Sequence, residues 1–236
     1  MKIAAIIPAR GGSKGIPHKN IAPLAGRPLL AYTLELALTQ REALCGIFVS
    51  TDSEHIAAVA KGFAGIQIIP RPEALAGDTA NTETALLHAL DWMKAQRNLE
   101  PEALLTLQVT SPLRSPETLA GFLQQFQELH DKGECNAMLS LHESREDLWE
   151  RRNEGYRRLF PEWPRRRQSR PALFVENGAY YAVTAAALKA SSSILGTNCA
   201  GFALPPEEGV DINTPLDLAF AEALLLQRKF AAPPRR

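Results

Sequence analysis

Cysteine is scarce. The three present, Cys45, Cys135 and Cys199, lie far apart and form no CxxC pair. That spacing indicates neither a disulfide framework nor a zinc site, and reduced thiols in a cytoplasmic protein are expected. An excess of one charge is missing too. Lys plus Arg and Asp plus Glu both total 26, which gives no support to a polyanion binder, and no nucleic-acid partner is expected. No apolar run approaches the roughly 18 residues that a membrane span requires, so no membrane partner is expected either. The chain reaches "PARGG" too early for a signal peptide. Walker A spacing, the GxGxxG of dinucleotide folds and internal repeats are all absent.

What is present is a regular alternation. The 236 residues, 45% hydrophobic, suffice for one large α/β domain with an insertion. "IAAIIP" (3–8) is a continuous apolar run, as a strand buried on both faces requires. Residues 28–39 follow a helical period through Leu30, Leu34, Ala37 and Leu38. "IFVST" (47–51), "IQII" (66–69), "LLTLQV" (104–109) and "AMLSL" (137–141) read as further strands. Ser53 is placed to cap a short helix, residues 80–97 carry a helical stripe, and Ser115-Pro116-Glu117 has the form of a helix start. "NGAYYAV" (177–183) and "GFALP" (201–205) resume the strands, and a last helix starts at Thr214-Pro215. Such alternation predicts a three-layer α/β fold on a mostly parallel sheet. Residues 142–172 break the rhythm: they are charged, hold Trp149 and Trp163, show no clean period, and read as an excursion from the sheet.

"IPARGGSKGIPHKN" (7–20) follows the first buried strand. In open α/β sheets ligands bind beyond the carboxyl ends of the strands. A glycine-rich loop there brings backbone N–H groups close to phosphate oxygens, and neighbouring cations balance their charge. A solvated connection would need none of this, so phosphate binding is the favoured reading.

This loop resembles that of the CMP-sialic acid synthetases, the acylneuraminate cytidylyltransferases. The resemblance continues in "VSTDSEHIAAVAKGFAG", "RPEALAGDTANTETALLHAL", "LLTLQVTSPLR", "RRRQ" followed by "ENGAYY", and "VDINTPLDL", in the family's order and across almost the whole chain. The related KDO cytidylyltransferases share the "IPAR" start but continue with a different basic loop. The resemblance implies a Rossmann-like fold of the nucleotide-diphospho-sugar transferase type over residues 1–236, with 142–172 as a dimerisation excursion. It implies transfer of CMP from CTP to the 2-hydroxyl of a nine-carbon 2-keto sugar acid, with pyrophosphate leaving and Mg²⁺ (or Mn²⁺) as cofactor. Phosphoryl transfer of this kind is catalysed mainly by positioning and charge stabilisation.

By the same resemblance, Arg10 and Lys19 face the triphosphate, and Gly11, Gly12, Ser13 and, second in rank, Lys14 supply donors. Asn20 binds the nucleotide, Arg71 reaches the cytosine, and Asp78, Thr79 and Ala80 line the base pocket. Gln108, Arg167, Gln168 and Asn177 approach the sugar acid, with Arg167 pairing with its carboxylate across a homodimer. Read from residues alone, "RRRQSR" is, as charge runs usually are, a solvated face, with a nuclear-import patch as the alternative. Ser111 and Arg114 read as parts of a strand-to-helix turn. Two departures stand out. Where the family has two metal-binding carboxylates, this chain has Asp211 and Asn213, with Asp217 one helical turn away as a possible stand-in. Where several bacterial members read "RPNGA", it reads "VENGA" (175–179). The acid could be N-acetylneuraminate, its deaminated analogue, or a legionaminate-, pseudaminate- or KDO-type acid. A sugar 1-phosphate nucleotidyltransferase and a non-catalytic nucleotide-binding regulator are the rival classes.

Overall fold

The structure, a computed structural model, describes residues 1–13, 15–77, 81–153 and 155–231. In chain order the elements are β1 (Ile3–Pro8), the short pair β2 (Pro23–Leu24) and β3 (Arg27–Pro28), α1 (Leu29–Thr39), β4 (Gly46–Thr51), α2 (Glu54–Lys61), β5 (Ile66–Pro70) and α3 (Thr82–Arg97). There follow β6 (Ala103–Leu107), α4 (Pro116–Asp131), β7 (Ala137–Ser144), β8 (Trp149–Arg152), β9 (Gly155–Arg158), β10 (Leu173–Thr184), α5 (Ala185–Ser191), β11 (Cys199–Ala203) and α6 (Pro215–Ala231).

Seven strands form the central sheet in the order β11-β7-β10-β6-β1-β4-β5. β10 runs antiparallel to both its neighbours, and the other pairs are parallel. The chain winds from β1 out through β4 and β5, then returns to place β6 on the other side of β1. That reversal puts a crevice at the carboxyl ends of β1 and β6, the usual location of ligands in such sheets.

The unbroken apolar run of β1 is explained by its two faces. Ile3, Ala5 and Ile7 pack in one cluster with Leu30 and Leu34 of α1 and Phe122 and Phe126 of α4. Ala4 and Ile6 pack in another with Leu86, Leu90 and Met93 of α3. Helices therefore cover both faces, giving three layers. Phe122 meets Tyr180 of β10 at 5.1 Å and Phe202 of β11 at 5.5 Å between ring centroids. Burying each such ring contributes about 1.5–3 kcal/mol. Helix starts follow the chain's polar punctuation. Ser53 accepts from the Ile56 N–H, Asn81 from that of Thr84, and Ser115 from that of Thr118.

The excursion starts later than residue 142, because β7 continues to Ser144, and it ends at 172, where β10 takes over at Leu173. Between them lies the β8–β9 hairpin and a loop held by one carboxylate. Asp147 accepts from Arg158 at 2.7 Å and from Arg170 at 3.2 Å. Those arginines, Arg158 foremost, keep its carboxyl below the usual carboxylate range. Arg170 also donates to the carbonyls of Arg145, Pro164 and Arg165. Of the "RRRQSR" run, then, Arg170 is the buried strut. Leu148, Trp149, Tyr156 and Leu159 remain exposed on the excursion. Among the described residues no helix is long and apolar enough to cross a membrane.

Candidate active site

At the carboxyl ends of β1, β5 and β6 lies a cavity of about 400 Å³. Arg10 enters it just beyond β1, Arg71 beyond β5, and Gln108 and Thr110 beyond β6. Gly12, Ser13, Gly15, Lys19 and Asn20 line it from the opening loop, Asn81 and Thr82 from the start of α3, and Asn213 from the last loop. Three cations and no carboxylate are among these lining residues. Cations gathered in one crevice in this way suit the binding of a polyanion.

Local contacts fix each cation. Asn20 donates to the carbonyl of Arg10 at 2.8 Å and so sets the course of the loop. Arg10 donates to the carbonyl of Gly77 at 3.3 Å. The Gly11 N–H donates to Asp52 at 2.9 Å, so this expected phosphate donor is spent inside the protein. Arg71 is buried and donates to the hydroxyl of Ser50 at 3.1 Å and to its carbonyl at 2.8 Å. Burial lowers its pKa, with the nearby Asp52 opposing that shift. Lys19 donates to the carbonyl of Ile212 at 2.9 Å and to Oδ1 of Asn213 at 3.1 Å. Burial lowers the Lys19 pKa first, Asp211 raises it, and Arg10 lowers it again. Gly15 permits this closure: a Cβ there would lie 2.4 Å from the carbonyl oxygen of Asn213.

Asn213 hands the contact on. Its Nδ2 donates to Asp211 at 2.6 Å, so the amide stands between the Lys19 ammonium and the Asp211 carboxylate. Asp217 is used differently. One of its oxygens accepts from the N–H of Asn213 at 2.9 Å, the N–H of Thr214 at 2.7 Å and the Thr214 hydroxyl at 2.9 Å. Thr214 in turn accepts from the Asp217 N–H at 3.3 Å, a reciprocal helix-start box. These donors depress the Asp217 carboxyl's pKa and make it the cap of α6. Among the described residues no group of three or more His, Cys, Asp or Glu is assembled for a metal. Asp211 alone offers a carboxylate here. That donor set fits Mg²⁺ only as Mg²⁺ is commonly bound, through one carboxylate with phosphate oxygens completing the shell.

Behind the wall, Arg114 is buried and donates to the carbonyls of Ala179 (2.6 Å) and Gln108 (2.7 Å) and to the Thr33 hydroxyl (2.8 Å). Burial pulls its pKa down to about 10. It ties α1, β10 and the end of β6 together, in keeping with the turn role read for it. Ser111 is fully buried beside it in sequence.

A second cavity, of about 360 Å³, is lined by His142, Glu176, Asn177, Gly178, Tyr181, Gly209 and Asp211, the last of which accepts from Asn213 of the first cavity. A bulge builds it. The pairing of β10 with β7 shifts register between Glu176 and Tyr181, and Gly178 takes φ +73° there. Side chains replace ladder bonds lost at the bulge. Ser140 donates to Oδ1 of Asn177 at 2.6 Å and accepts from the Tyr180 N–H at 2.8 Å, and the Ala179 N–H donates to Asn177 at 3.2 Å. In a regular strand residues 176 and 181 would face opposite sides. Here the Tyr181 hydroxyl donates to Glu176.

Arg167 and Gln168 line neither cavity; Arg167 is 68% exposed and pairs with Glu146 of its own excursion at 3.2 Å. Lys14, Asp78, Thr79 and Ala80 lie outside the described residues. Sequence reading missed Gly15, Thr110, Asn81 and Thr82 in the first cavity and His142, Glu176, Tyr181 and Gly209 in the second. Asn81 closes the expected base segment "GDTAN" and Thr82 directly follows it, so adjacency could have flagged them as lining residues. The second-cavity residues needed the bulge.

Comparisons with known proteins agree with this architecture. Residues 4–157 match the family model described as Cytidylyltransferase. The CMP-N,N'-diacetyllegionaminic acid synthase of Legionella pneumophila is 33% identical, across 95% of this chain and 97% of that protein. The N-acylneuraminate cytidylyltransferase of Escherichia coli is 41% identical over 134 residues, which are 57% of this chain and only 30% of that longer protein. A CMP:2-keto-3-deoxy-manno-octonic acid synthetase solved with CTP superposes with a TM-score of 0.70 at 21% identity, covering 97% of this chain and 100% of that one, and shares the fold. The cation-lined crevice at the β1–β6 switch point, on this fold and with these matches, identifies the chain as a member of the cytidylyltransferase family.

Proposed function

We propose that the protein transfers CMP from CTP to the 2-hydroxyl of a nine-carbon 2-keto sugar acid of the N-acylneuraminate type, working as a cytoplasmic homodimer. The observation that carries this reading is the cavity lined by Arg10, Lys19 and Arg71 at the carboxyl ends of the strands. The hydroxyl oxygen bonds to the α-phosphorus, the bond from that phosphorus to the β-phosphate's bridging oxygen breaks, and the hydroxyl proton is released as pyrophosphate leaves. Arg10 and Lys19 stabilise the charge that builds on the departing pyrophosphate. Arg71, anchored on Ser50, serves the base end together with the segment around Asp78, Thr79 and Ala80. Gly12, Ser13, Lys14 and Asn20 complete the triphosphate cradle, with Gly11 acting through Asp52. Gln108 and Asn177 belong to the sugar-acid side.

Asp211, with Asn213 beside it, would hold Mg²⁺, which when bound neutralises phosphate charge. Arg167 and Gln168 would reach the active site of a partner subunit, since they line neither cavity of their own chain and their excursion exposes Trp149 and Tyr156. A legionaminate-type acid is the second reading, favoured by the match to the Legionella relative over nearly the full length of both chains.

The test is a pyrophosphate-release screen of CTP, ATP, GTP and UTP against a panel of 2-keto sugar acids and sugar 1-phosphates. Release only with CTP plus a sugar acid is expected. Equal turnover with ATP or UTP, or with sugar 1-phosphates instead of acids, would reject the assignment.

A further inference from the structure

The second cavity has a chemical character that the transfer reaction alone does not require. Its lining holds two carboxylates, Glu176 and Asp211, and neither Lys nor Arg. Its remaining polar side chains are His142, Tyr181 and the buried Asn177, whose amide nitrogen has no hydrogen-bond partner and lies against Gly209. Glu176 is exposed, while Tyr181 is nearly buried. Tyr181 donates its hydroxyl to one oxygen of Glu176. Burial and that carboxylate push the tyrosine's pKa far up, so it stays protonated and keeps the contact. The second carboxylate oxygen keeps its lone pairs for another donor, because an ionised carboxylate only accepts.

We propose that Glu176, held in place by Tyr181, is a specificity-determining residue that reads hydroxyl or acylamino N–H donors on the part of the sugar acid remote from its carboxylate. The inference rests on the cytidylyltransferase reading and adds an orientation to it. Glu176 repels the acid's own carboxylate, whereas Asp211 holding Mg²⁺ would not. The carboxylate therefore points away from Glu176, and the donor-rich polyol and acylamino end turns toward it. A site built to accept from a substrate donor discriminates against an analogue that lacks it, because bound sugar acid covers the exposed Glu176 and an acceptor covered without a donor is left unpaired. The bulge in β10 is what makes this possible, since without it Tyr181 and Glu176 would face opposite sides of the sheet.

The test compares the intact protein with Glu176→Gln and Tyr181→Phe in pyrophosphate release. The substrates are a preferred 2-keto sugar acid and a series of its analogues, each lacking one hydroxyl or carrying an N-methylated acylamino group. Glu176→Gln is expected to raise KM for the parent acid about 10-fold or more, the scale of one hydrogen bond to a charged group. The CTP KM should change less than about twofold. The penalty should disappear for the analogue that lacks the donor being read. Tyr181→Phe, which frees the carboxylate, should raise the same KM by a smaller factor. An equal penalty on every analogue, an effect confined to CTP, or no effect of Glu176→Gln would overturn the inference while leaving the transfer reaction standing. A wild-type protein that releases pyrophosphate with no sugar acid would overturn the underlying reading, and this inference with it.

Discussion

The cavity at the ends of β1, β5 and β6 and the cavity beside β10 lie on either side of the Asn213–Asp211 hydrogen bond, yet they are lined by opposite charge. Among the described residues, Arg10, Lys19 and Arg71 line the first with no carboxylate, whereas Glu176 and Asp211 line the second with neither Lys nor Arg. Their construction differs as well. The first is made where parallel strands end, a place any sheet of this winding offers. The second is made by an irregularity inside one antiparallel strand, repaired by Ser140 and Asn177. The contrast teaches that the polyanion site comes with the architecture, while the neighbouring site depends on a few side chains and is the part free to diverge.

Breaking the cationic side should have the largest effect. Arg10→Ala is expected to lower turnover about 100-fold or more, the scale of removing one charge-stabilising donor. Pyrophosphate release measures this, and the melting temperature should stay near that of the unmodified protein. Arg167→Ala sharpens the boundary with the sugar acid. It should raise the sugar-acid KM about 10-fold with the CTP KM nearly unchanged, since it removes a charge-assisted contact. Mixing Arg167→Ala with Arg10→Ala chains should restore part of the activity in hybrid dimers. An Arg167 effect confined to CTP would move this residue to the nucleotide side.

The wall between the cavities gives smaller effects. Asn213→Asp adds a carboxylate where Asn213 now links Lys19 to Asp211. Less Mg²⁺, by several-fold, should then be needed for half-maximal rate, because Mg²⁺ prefers carboxylate oxygens. A Mg²⁺ titration showing no change would separate this position from the metal. Asp217→Asn should be mildest. It weakens the cap of α6 and costs about 0.5–1 kcal/mol of stability, visible in denaturant unfolding, with Mg²⁺ dependence unchanged.

Much of this molecule is legible in the sequence because its main signals are local. The double-faced run of β1 and the caps at Ser53, Ser115 and Thr214 depend on neighbours a few residues away. Arg114 could be read as belonging to a turn, but not as a buried guanidinium joining α1, β6 and β10, because its partners Thr33 and Ala179 are distant in the chain. α5 was not expected. Its seven residues follow directly on the apolar end of β10, and only Thr184, which accepts from the Ala187 N–H, marks its start. The antiparallel sense of β10 is likewise invisible, since periodicity is the same in either direction. Glu176 and Tyr181 escaped for a related reason: five positions apart, they read as facing opposite ways until the bulge is known. Asp217 resembled a ligand in spacing, and only the donors converging on it reveal a cap.

The contact of Lys19 with Ile212 joins residues 193 positions apart, and Gly15 meets the same segment backbone to backbone. The consequence concerns time as well as place. The loop over residues 7–20 is made long before residues 211–213, and the cation-lined crevice cannot close until that later segment has followed. Contacts of such long sequence separation are among the slowest to form. Competence to bind nucleotide thus becomes a marker of completed folding. A ligand bound between the 10–20 loop and residues 211–213 would in turn stabilise the closed state against their separation.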